Sequence, residues 1–314
     1  MLARLLSTLL RSSGAHAPVA TSAEISIGMA AYGNAATTRH ALSDLFASVT
    51  GDFELILVND CSPDDTLEVF REFARRHANT RIYSFDRNLE YCHSLNAFLS
   101  HAQGRLLLFL SNDIFANPSY LRQLLKAAAE HPECGILRGS SNFVDNSSPL
   151  HNVAAERFAT KTAYLEFAAD VARQHRSSPL VDERFLVGDA FLVTRQVIDR
   201  IGTVDTRFHG YCGDQDFALR ARIAGFRVVL VRSAFVYHQN QANISYLPPD
   251  EQKRKIDKRI ARVAEALTEL QKKYGVAEQG SVHDFPWERL ARQAFDEARH
   301  RVAPGDYSRY LLQR

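Results

Sequence analysis

Short apolar runs alternate with amphipathic segments through most of the chain. The apolar runs predict strands over residues 24–30, 53–58, 81–85, 105–110, 135–138 and 227–231. Between them, apolar positions recur at helical spacing and predict helices over 37–49, 118–130, 160–174 and 216–224. Strands that alternate with helices are typical of a mostly parallel sheet with helices on both faces, so the pattern predicts an α/β fold.

The pattern changes after residue 246. Ile256, Ile260, Val263 and Leu267 repeat at intervals of four and three on a helix whose other face is basic. Such a helix packs on the main domain, or it contacts a membrane surface or a partner. A final helix is predicted over 286–301. We therefore expect an α/β domain over 24–245 and a C-terminal helical extension over 246–314.

Residues 1–23 are predicted to form a separate arm. Leucines at helical spacing accompany Arg4 and Arg11, and no acidic residue precedes Glu24. This composition fits a flexible arm that docks on the fold, or an amphipathic segment that targets the chain or touches a membrane. No apolar run approaches the roughly 20 residues that a membrane-spanning helix needs.

Composition narrows the class of protein. The chain is 46% hydrophobic and 24% charged, with a net charge of +2, which is ordinary for a soluble domain and argues against a nucleic-acid partner. Its four cysteines are scattered, so we expect free thiols in a reducing compartment. The prediction is a cytoplasmic protein, and the arm leaves open a peripheral contact with the inner face of the membrane.

Polar side chains stand at the carboxyl ends of two predicted strands. Asn59 and Asp60 follow the second strand, and Asp113 follows the fourth. A polar group in such a place costs desolvation unless a polar partner lies beside it. Open α/β sheets bind their ligands at this edge. Ser62 and Pro63, in contrast, are explained as the N-cap and first residue of the next helix.

Two further features suggest chemistry. Asp214 and Asp216 stand where a glycine-rich turn gives way to a helical pattern, and such a pair serves either as helix-start charge or as a catalytic acid or base. Of the two, Asp216 is expected to fix the helix start or to pair with Arg220. Gly188 and Asp189 interrupt the apolar run over 184–194, where a glycine allows a ligand to approach the backbone closely.

Several short motifs occur in a fixed order along the chain. They are Tyr32-Gly33-Asn34, Asn59-Asp60-Cys61-Ser62, Asn88-Leu89-Glu90, Ser111-Asn112-Asp113, Gly188-Asp189-Ala190, Gly213-Asp214-Gln215-Asp216 and His238. Their order resembles that of the inverting glycosyltransferases of family 2, which have the nucleotide-binding GT-A fold. The chain departs from the family pattern at four positions, namely Asn59 and Ser111 in place of acids, Glu90 in place of glycine and Gly213 in place of glutamate.

The resemblance implies a role for each matching residue. Asp214 would be the general base, and Asp113 and His238 would bind a divalent cation, Mn²⁺ or Mg²⁺. His238 has a second interpretation, as a strand-end histidine that only hydrogen-bonds the fold. The residues that would contact the nucleotide sugar are Ala31, Tyr32, Asn34, Asn59, Asp60, Asn88, Asn112, Gly188 and Asp189.

The function implied is inverting, metal-dependent transfer of a sugar from a nucleotide-sugar donor to an acceptor hydroxyl. The acceptor would be a carbohydrate, a lipid-linked molecule or a protein, in the synthesis of a cell-surface polysaccharide or glycoconjugate. Ser111, Asn59 and Glu90, which depart from the family pattern, leave open a protein that binds nucleotide sugars without turnover. A nucleotidyltransferase or a dehydrogenase is disfavoured, because no glycine-rich phosphate loop follows any predicted strand.

Overall fold

The structure is a computed structural model that describes residues 17–22, 24–142, 158, 160–177, 180–239, 248–277 and 280–312. Most of the predicted N-terminal arm, residues 1–16, lies outside the described residues. The first half of the chain forms β1 (Val19–Thr21), β2 (Ile25–Ala31), α1 (Ala35–Ser48), β3 (Val49–Gly51), β4 (Glu54–Asn59), α2 (Thr66–Arg76), β5 (Thr80–Ser84), α3 (Glu90–His101), β6 (Leu106–Ser111), β7 (Ile114–Phe115), α4 (Pro118–Glu130) and β8 (Cys134–Ser141). The second half forms α5 (Lys161–Gln174), β9 (Leu180–Asp182), β10 (Ala190–Thr194), α6 (Arg195–Ile201), α7 (Gly213–Ile223), β11 (Arg227–His238), α8 (Pro249–Tyr274), α9 (Trp287–Leu290) and α10 (Glu297–His300).

Within the described residues, a nine-stranded sheet runs through the middle of the molecule in the order β5-β4-β2-β6-β10-β8-β11-β7, with β9 paired to β11. The four strands β5, β4, β2 and β6 are parallel to one another, and β8 is parallel to β11. β10 is antiparallel to both β6 and β8. The α/β fold that the sequence predicts is confirmed, but the sheet is mixed, because four of its eight strand pairings are parallel and four are antiparallel.

Both faces of the sheet are covered. On β4, Ile56 and Val58 point into an apolar cluster that includes side chains of α3, α6 and α7, while Leu55 and Leu57 point into a cluster with α1, α2 and α4. This double burial explains why the strands are near-continuous apolar runs, because neither face of a parallel sheet meets water. The carboxyl ends of β2, β4, β6 and β11 meet at one edge; we call it the catalytic edge because the sequence predicts the active site there.

Residues 17–22 of the predicted arm contact the fold, since β1 pairs in parallel with β3 and Arg122 donates to the carbonyl of Ala17. Two local expectations are wrong. Ser62 does not cap a helix, since α2 starts at Thr66 and the Ser62 hydroxyl accepts the N–H of Gly33 instead. The predicted helix over 286–301 is two short helices, because Asp296 caps the start of a new one by accepting N–H bonds from the next turn.

The long helix α8 is only half packed. Its C-terminal part buries Leu267, Leu270 and Tyr274, whereas residues 249–265 contain no buried position. Gly275, with a φ of 62°, ends the helix in the left-handed conformation that glycine adopts easily. None of the helices in the described part of the chain is both long enough and apolar enough to cross a membrane.

Candidate active site

Asp60 lies at the end of β4 and holds the start of α3. Its two carboxylate oxygens accept the backbone N–H groups of Leu89, at 2.6 Å, and Glu90, at 2.9 Å. The side chain is buried, and burial raises the pKa of Asp60 although the two N–H groups act in the opposite direction. Asp60 therefore shapes the loop between β5 and α3.

Glu90 has a backbone conformation that favours glycine. Its φ is 72°, in the left-handed region, which costs a residue with a side chain about 1 kcal/mol or more. The family pattern has glycine at this place, so the chain keeps the loop shape and carries the strain. The Glu90 side chain forms an ion pair with Arg262 of α8. This pair joins the start of α3 to the helical extension.

The asparagines predicted to contact the donor are held by the fold. Asn59 donates to the Ser84 hydroxyl at 3.0 Å and accepts the N–H of Ser62 at 3.2 Å. Asn112 donates to the carbonyl of Gly33 and to the Thr38 hydroxyl, at 3.1 and 2.9 Å. These bonds fix the shapes of the loops at the ends of β2, β4 and β6.

The other residues predicted to contact the nucleotide sugar lie in the same loops. Asn34 has a φ of 67° and accepts the Thr37 hydroxyl at 2.9 Å. Ala31 is buried and its carbonyl accepts the N–H of Asp60, whereas Tyr32 and Asn88 are exposed. Their contact with a nucleotide sugar stays a prediction.

Three ionisable side chains from distant parts of the chain meet at the catalytic edge. His238, at the end of β11, places Nε2 at 3.3 Å from Oδ2 of Asp113 and Nδ1 at 3.3 Å from Oδ2 of Asp189. β10 runs antiparallel to its neighbours, so its amino end brings Asp189 to the edge where the other strands end. The backbone N–H of Ser111 fixes this junction by donating to the Asp189 carbonyl.

The two carboxylates control the protonation of the histidine. Burial by itself would lower the pKa of His238, but Asp113 and Asp189 outweigh it and raise the pKa to about 10. Burial would likewise raise the pKa of Asp189, yet His238 and the nearby Arg138 lower it. In the absence of another cation, His238 thus supplies the positive charge between the two acids.

Asp214 lies in the first turn of α7, next to this cluster. Its exposed fraction is 9%, one oxygen accepts the Gly188 N–H at 2.7 Å, and the other accepts the Gln215 N–H at 3.1 Å. Burial is the main cause that raises the pKa of Asp214 to about 6, and the charge of Asp189 adds to it. A carboxylate with this pKa is ionised at neutral pH and still basic enough to accept a proton.

Asp216, two residues further, has a structural place. It pairs with Arg220 at 2.7 Å and with Lys273 at 2.7 Å, and it accepts the Tyr274 hydroxyl at 2.9 Å. Burial would raise its pKa, but the two cations outweigh burial and lower the pKa of Asp216. The interpretation of Asp216 as a partner of Arg220 is confirmed.

Two glycines of the site are required by close packing. A Cβ on Gly188 would stand 2.1 Å from the Tyr91 hydroxyl and 3.0 Å from Cβ of Asp214. A Cβ on Gly213 would stand 2.5 Å from Sγ of Cys92. The family's glutamate at position 213 would therefore not fit against α3 in this chain, which gives a physical reason for that departure.

The geometry of Asp113 and His238 fits two ligands of one divalent ion. Two donors that bind the same Mg²⁺ at about 2.1 Å in neighbouring positions lie about 3 Å apart, close to the observed Asp113–His238 distance. Asp189 on the second ring nitrogen is the carboxylate partner that metal-binding histidines usually have. In the described part of the chain no three His, Cys, Asp or Glu side chains form a complete metal site. Other ligands, such as phosphate oxygens, would have to complete the shell.

Sequence reasoning missed Tyr91 and Arg138. The Tyr91 hydroxyl donates to the Gly188 carbonyl at 2.7 Å, and burial raises its pKa well above the ordinary value. Arg138 is 4% exposed, lies 3.7 Å from the Asp189 carboxylate and leaves its buried Nε without a hydrogen-bond partner in the structure. For Arg138, the sequence offered one indication, namely a charged residue in an otherwise apolar predicted strand.

Comparison with known proteins gives a consistent result. The family described as "Glycosyl transferase family 2" matches residues 26–202, more than half of the chain. EpsJ of Bacillus subtilis, an uncharacterized glycosyltransferase, is 23% identical over 75% of this chain and 66% of its own length. A poly-beta-1,6-N-acetyl-D-glucosamine synthase of Staphylococcus epidermidis is 23% identical over 43% of this chain and 33% of its own. The chain thus spans just under two thirds of the first relative and a third of the second.

Solved structures show the same fold. The mannosyltransferase PcManGT of Pyrobaculum calidifontis, in complex with GDP-Man and Mn²⁺, matches with a TM-score of 0.56 and 15% identity over 92% of this chain and 74% of that one. Glucosyl-3-phosphoglycerate synthase of Mycobacterium tuberculosis, in complex with Mn²⁺, UDP and phosphoglyceric acid, matches with a TM-score of 0.52 and 15% identity over 89% and 84%. At such identity the likeness shows the GT-A fold, as the sequence motifs predict.

Proposed function

The chain belongs to glycosyltransferase family 2, and from that premise we propose that it is an inverting, metal-dependent glycosyltransferase that uses a nucleotide-sugar donor. The main observation behind the proposal is the buried carboxylate of Asp214, whose pKa is raised to about 6. It lies beside the Asp113–His238–Asp189 cluster at the catalytic edge. Sequence relatives act in polysaccharide synthesis, which supports a sugar polymer or glycoconjugate as the product.

Asp214 would act as the general base. It removes the proton from the acceptor hydroxyl while that oxygen attacks the anomeric carbon on the face opposite the leaving nucleoside diphosphate. The bond from carbon to the diphosphate oxygen breaks and its electron pair leaves with the diphosphate, so the configuration at the anomeric carbon inverts. The proton ends on Asp214, whose raised pKa makes it a better acceptor than an ordinary aspartate.

Asp113 and His238 would hold a divalent cation, Mn²⁺ or Mg²⁺. When bound, such an ion supplies charge stabilisation to the departing diphosphate as a Lewis acid. The resemblance implies Asp189 as a contact of the nucleotide sugar, but its position suits it to hold the His238 ring so that Nε2 faces Asp113. The Mn²⁺ in both structural neighbours supports this choice of ion.

A binding and transfer assay tests the proposal. UDP- and GDP-sugars are screened by calorimetry with and without Mn²⁺, and bound donors are then assayed for sugar transfer and hydrolysis. We expect Mn²⁺ to increase donor affinity in the parent chain, and Asp113→Asn or His238→Gln to remove that increase. Asp199→Asn, an exposed aspartate on α6, is the matched control and should behave as the parent. If Mn²⁺ does not change the donor affinity of the parent chain or of any variant, Asp113 and His238 do not bind a cation that helps to hold the donor.

The second candidate function is a protein that binds nucleotide sugars without turnover. It is motivated by Ser111, Asn59 and Glu90, which stand where the family pattern has other residues. Mn²⁺-dependent donor binding without any transfer or hydrolysis, across the acceptors tried, would favour it over the enzyme.

A further inference from the structure

Helix α8 packs differently along its length. Its C-terminal part is anchored by buried Leu267 and Leu270 and by Lys273, which pairs with Asp205 and Asp216 at 2.9 and 2.7 Å. Residues 249–265 contain no buried position. At about 1.5 Å per residue this exposed segment is about 25 Å long. We call residues 249–265 the outer segment of α8.

The C-terminal end of the outer segment lies beside the candidate active site. Arg262 forms an ion pair with Glu90, whose backbone N–H is bound by Asp60 at 2.9 Å. Farther along, Lys273 and Tyr274 bind Asp216, two residues from Asp214. The helix thus contacts residues on two sides of the candidate active site, Glu90 at the start of α3 and Asp216 in α7.

The outer segment exposes a line of apolar side chains. Ile256, Ile260 and Val263 are 38%, 63% and 37% exposed. Their spacing of four and three places them on one side of the helix, in line with the buried Leu267 and Leu270. The apolar face that packs on the domain at the C-terminal end of α8 therefore continues for about two more turns, where its side chains are partly exposed.

Basic residues flank this line. The outer segment has six basic residues against the four acids Asp250, Glu251, Asp257 and Glu265; the basic ones are Lys253, Arg254, Lys255, Lys258, Arg259 and Arg262. With about 100° between successive residues, Lys253 and Arg259 stand about 60° to either side of Ile256. Cations on both sides of an apolar stripe are typical of helices that lie in a membrane interface, where the aliphatic stems cover lipid and the charges reach headgroups.

We propose that the outer segment of α8 docks on the surface of an anionic lipid bilayer, with Ile256, Ile260 and Val263 inserted at the boundary of headgroups and acyl chains. A second copy of this chain fits the surface less well. The three side chains form a narrow stripe, whereas a stable protein interface buries about 800 Å² per partner. Pairing two such helices would also bring their basic flanks together. Docking would place the catalytic edge next to the membrane, where a lipid-linked acceptor would be within reach.

Vesicle sedimentation with the full chain tests the docking. Vesicles of phosphatidylcholine, with and without phosphatidylglycerol, are mixed with the protein at low and at high ionic strength, without nucleotide sugar. We expect binding only to vesicles that contain phosphatidylglycerol, and weaker binding at high ionic strength. The double variant Ile256→Ser/Ile260→Ser should bind at least about tenfold more weakly, because two apolar side chains no longer leave water. Lys253→Gln/Lys255→Gln should weaken binding and reduce its salt dependence.

Leu311→Ser is the matched control, since Leu311 is also apolar and 40% exposed but lies outside α8. It should bind as the parent does. Absence of binding to phosphatidylglycerol vesicles, equal binding by the isoleucine double variant, or equal loss in the control would overturn the proposal. Self-association of the parent that the isoleucine double variant abolishes, with no vesicle binding, would assign the stripe to contacts between copies instead. Because no sugar donor is present, these outcomes are independent of whether transfer itself is observed.

Discussion

The two faces of helix α7 carry the same residue in opposite environments. On one face, Asp214 meets backbone N–H groups and the carboxylate of Asp189, and no basic side chain pairs with it among the described residues. On the other face, Asp216 is enclosed by Arg220, Lys273 and Tyr274. Burial is similar, so the difference in pKa direction arises from the partners. A buried carboxylate without a cation keeps its capacity to take a proton, and one with two cations becomes part of the fold.

The largest effect is expected from Asp214→Asn. The variant cannot accept the acceptor's proton, so turnover should fall about 10²- to 10⁴-fold while donor affinity is kept. Its unfolding temperature at pH 7.5 should change little, because removing an ionised carboxylate with a raised pKa favours folding at neutral pH while the amide can accept only one of the two backbone N–H groups. Steady-state kinetics and thermal unfolding measure the two quantities. Substantial residual turnover would remove Asp214 from the role of base.

Asp216→Asn should produce the opposite result. Arg220 is fully buried and Lys273 nearly so, and both would lose a carboxylate partner. We expect the free energy of unfolding to fall by about 3–5 kcal/mol, as for other broken buried pairs. Denaturant unfolding measures it, and turnover at a low temperature, where the variant is folded, should remain within about tenfold of the parent. A stable variant that lacks turnover would assign Asp216 to the chemistry.

A pair of tyrosine variants gives a smaller, finer comparison. Tyr91→Phe removes the bond to the Gly188 carbonyl, and Tyr274→Phe removes the bond to Asp216. Each bond contributes about 0.5–1.5 kcal/mol. We expect Tyr91→Phe to lower turnover severalfold, because Gly188 positions Asp214, and Tyr274→Phe to lower stability alone. Steady-state kinetics and thermal unfolding measure both effects. If both variants lower turnover equally, the Asp214 and Asp216 faces of α7 do not differ in the way proposed.

The frame of the site was predictable from local pattern. Asn59, Asp60 and Asp113 follow buried parallel strands, and the carboxyl ends of such strands must meet at one edge. The spacing of apolar residues likewise predicted that α8 packs on the domain, as its C-terminal half does. Local pattern also predicted a single helix over 286–301, which failed because Asp296 starts a new helix.

The contacts inside the site depend on pairing between distant segments. The antiparallel β10 brings Asp189 to His238, and no residue near position 189 encodes that direction. Tyr91 faces Gly188 only because α3 and the loop before β10 pack together. The buried Asp216–Lys273 pair joins residues 57 positions apart, so the sequence could suggest only its Arg220 half.

The central claim is that Asp214, and not Asp216, takes the proton in sugar transfer. Its most direct test is the pH dependence of kcat/KM for the parent chain, Asp214→Asn and Asp216→Asn. Asp214 must be ionised to act, so the parent's kcat/KM should fall as the pH falls through about 6. Asp216→Asn should keep this acidic limb, and the residual activity of Asp214→Asn should lack it. An acidic limb near pH 6 that persists in Asp214→Asn would contradict the account.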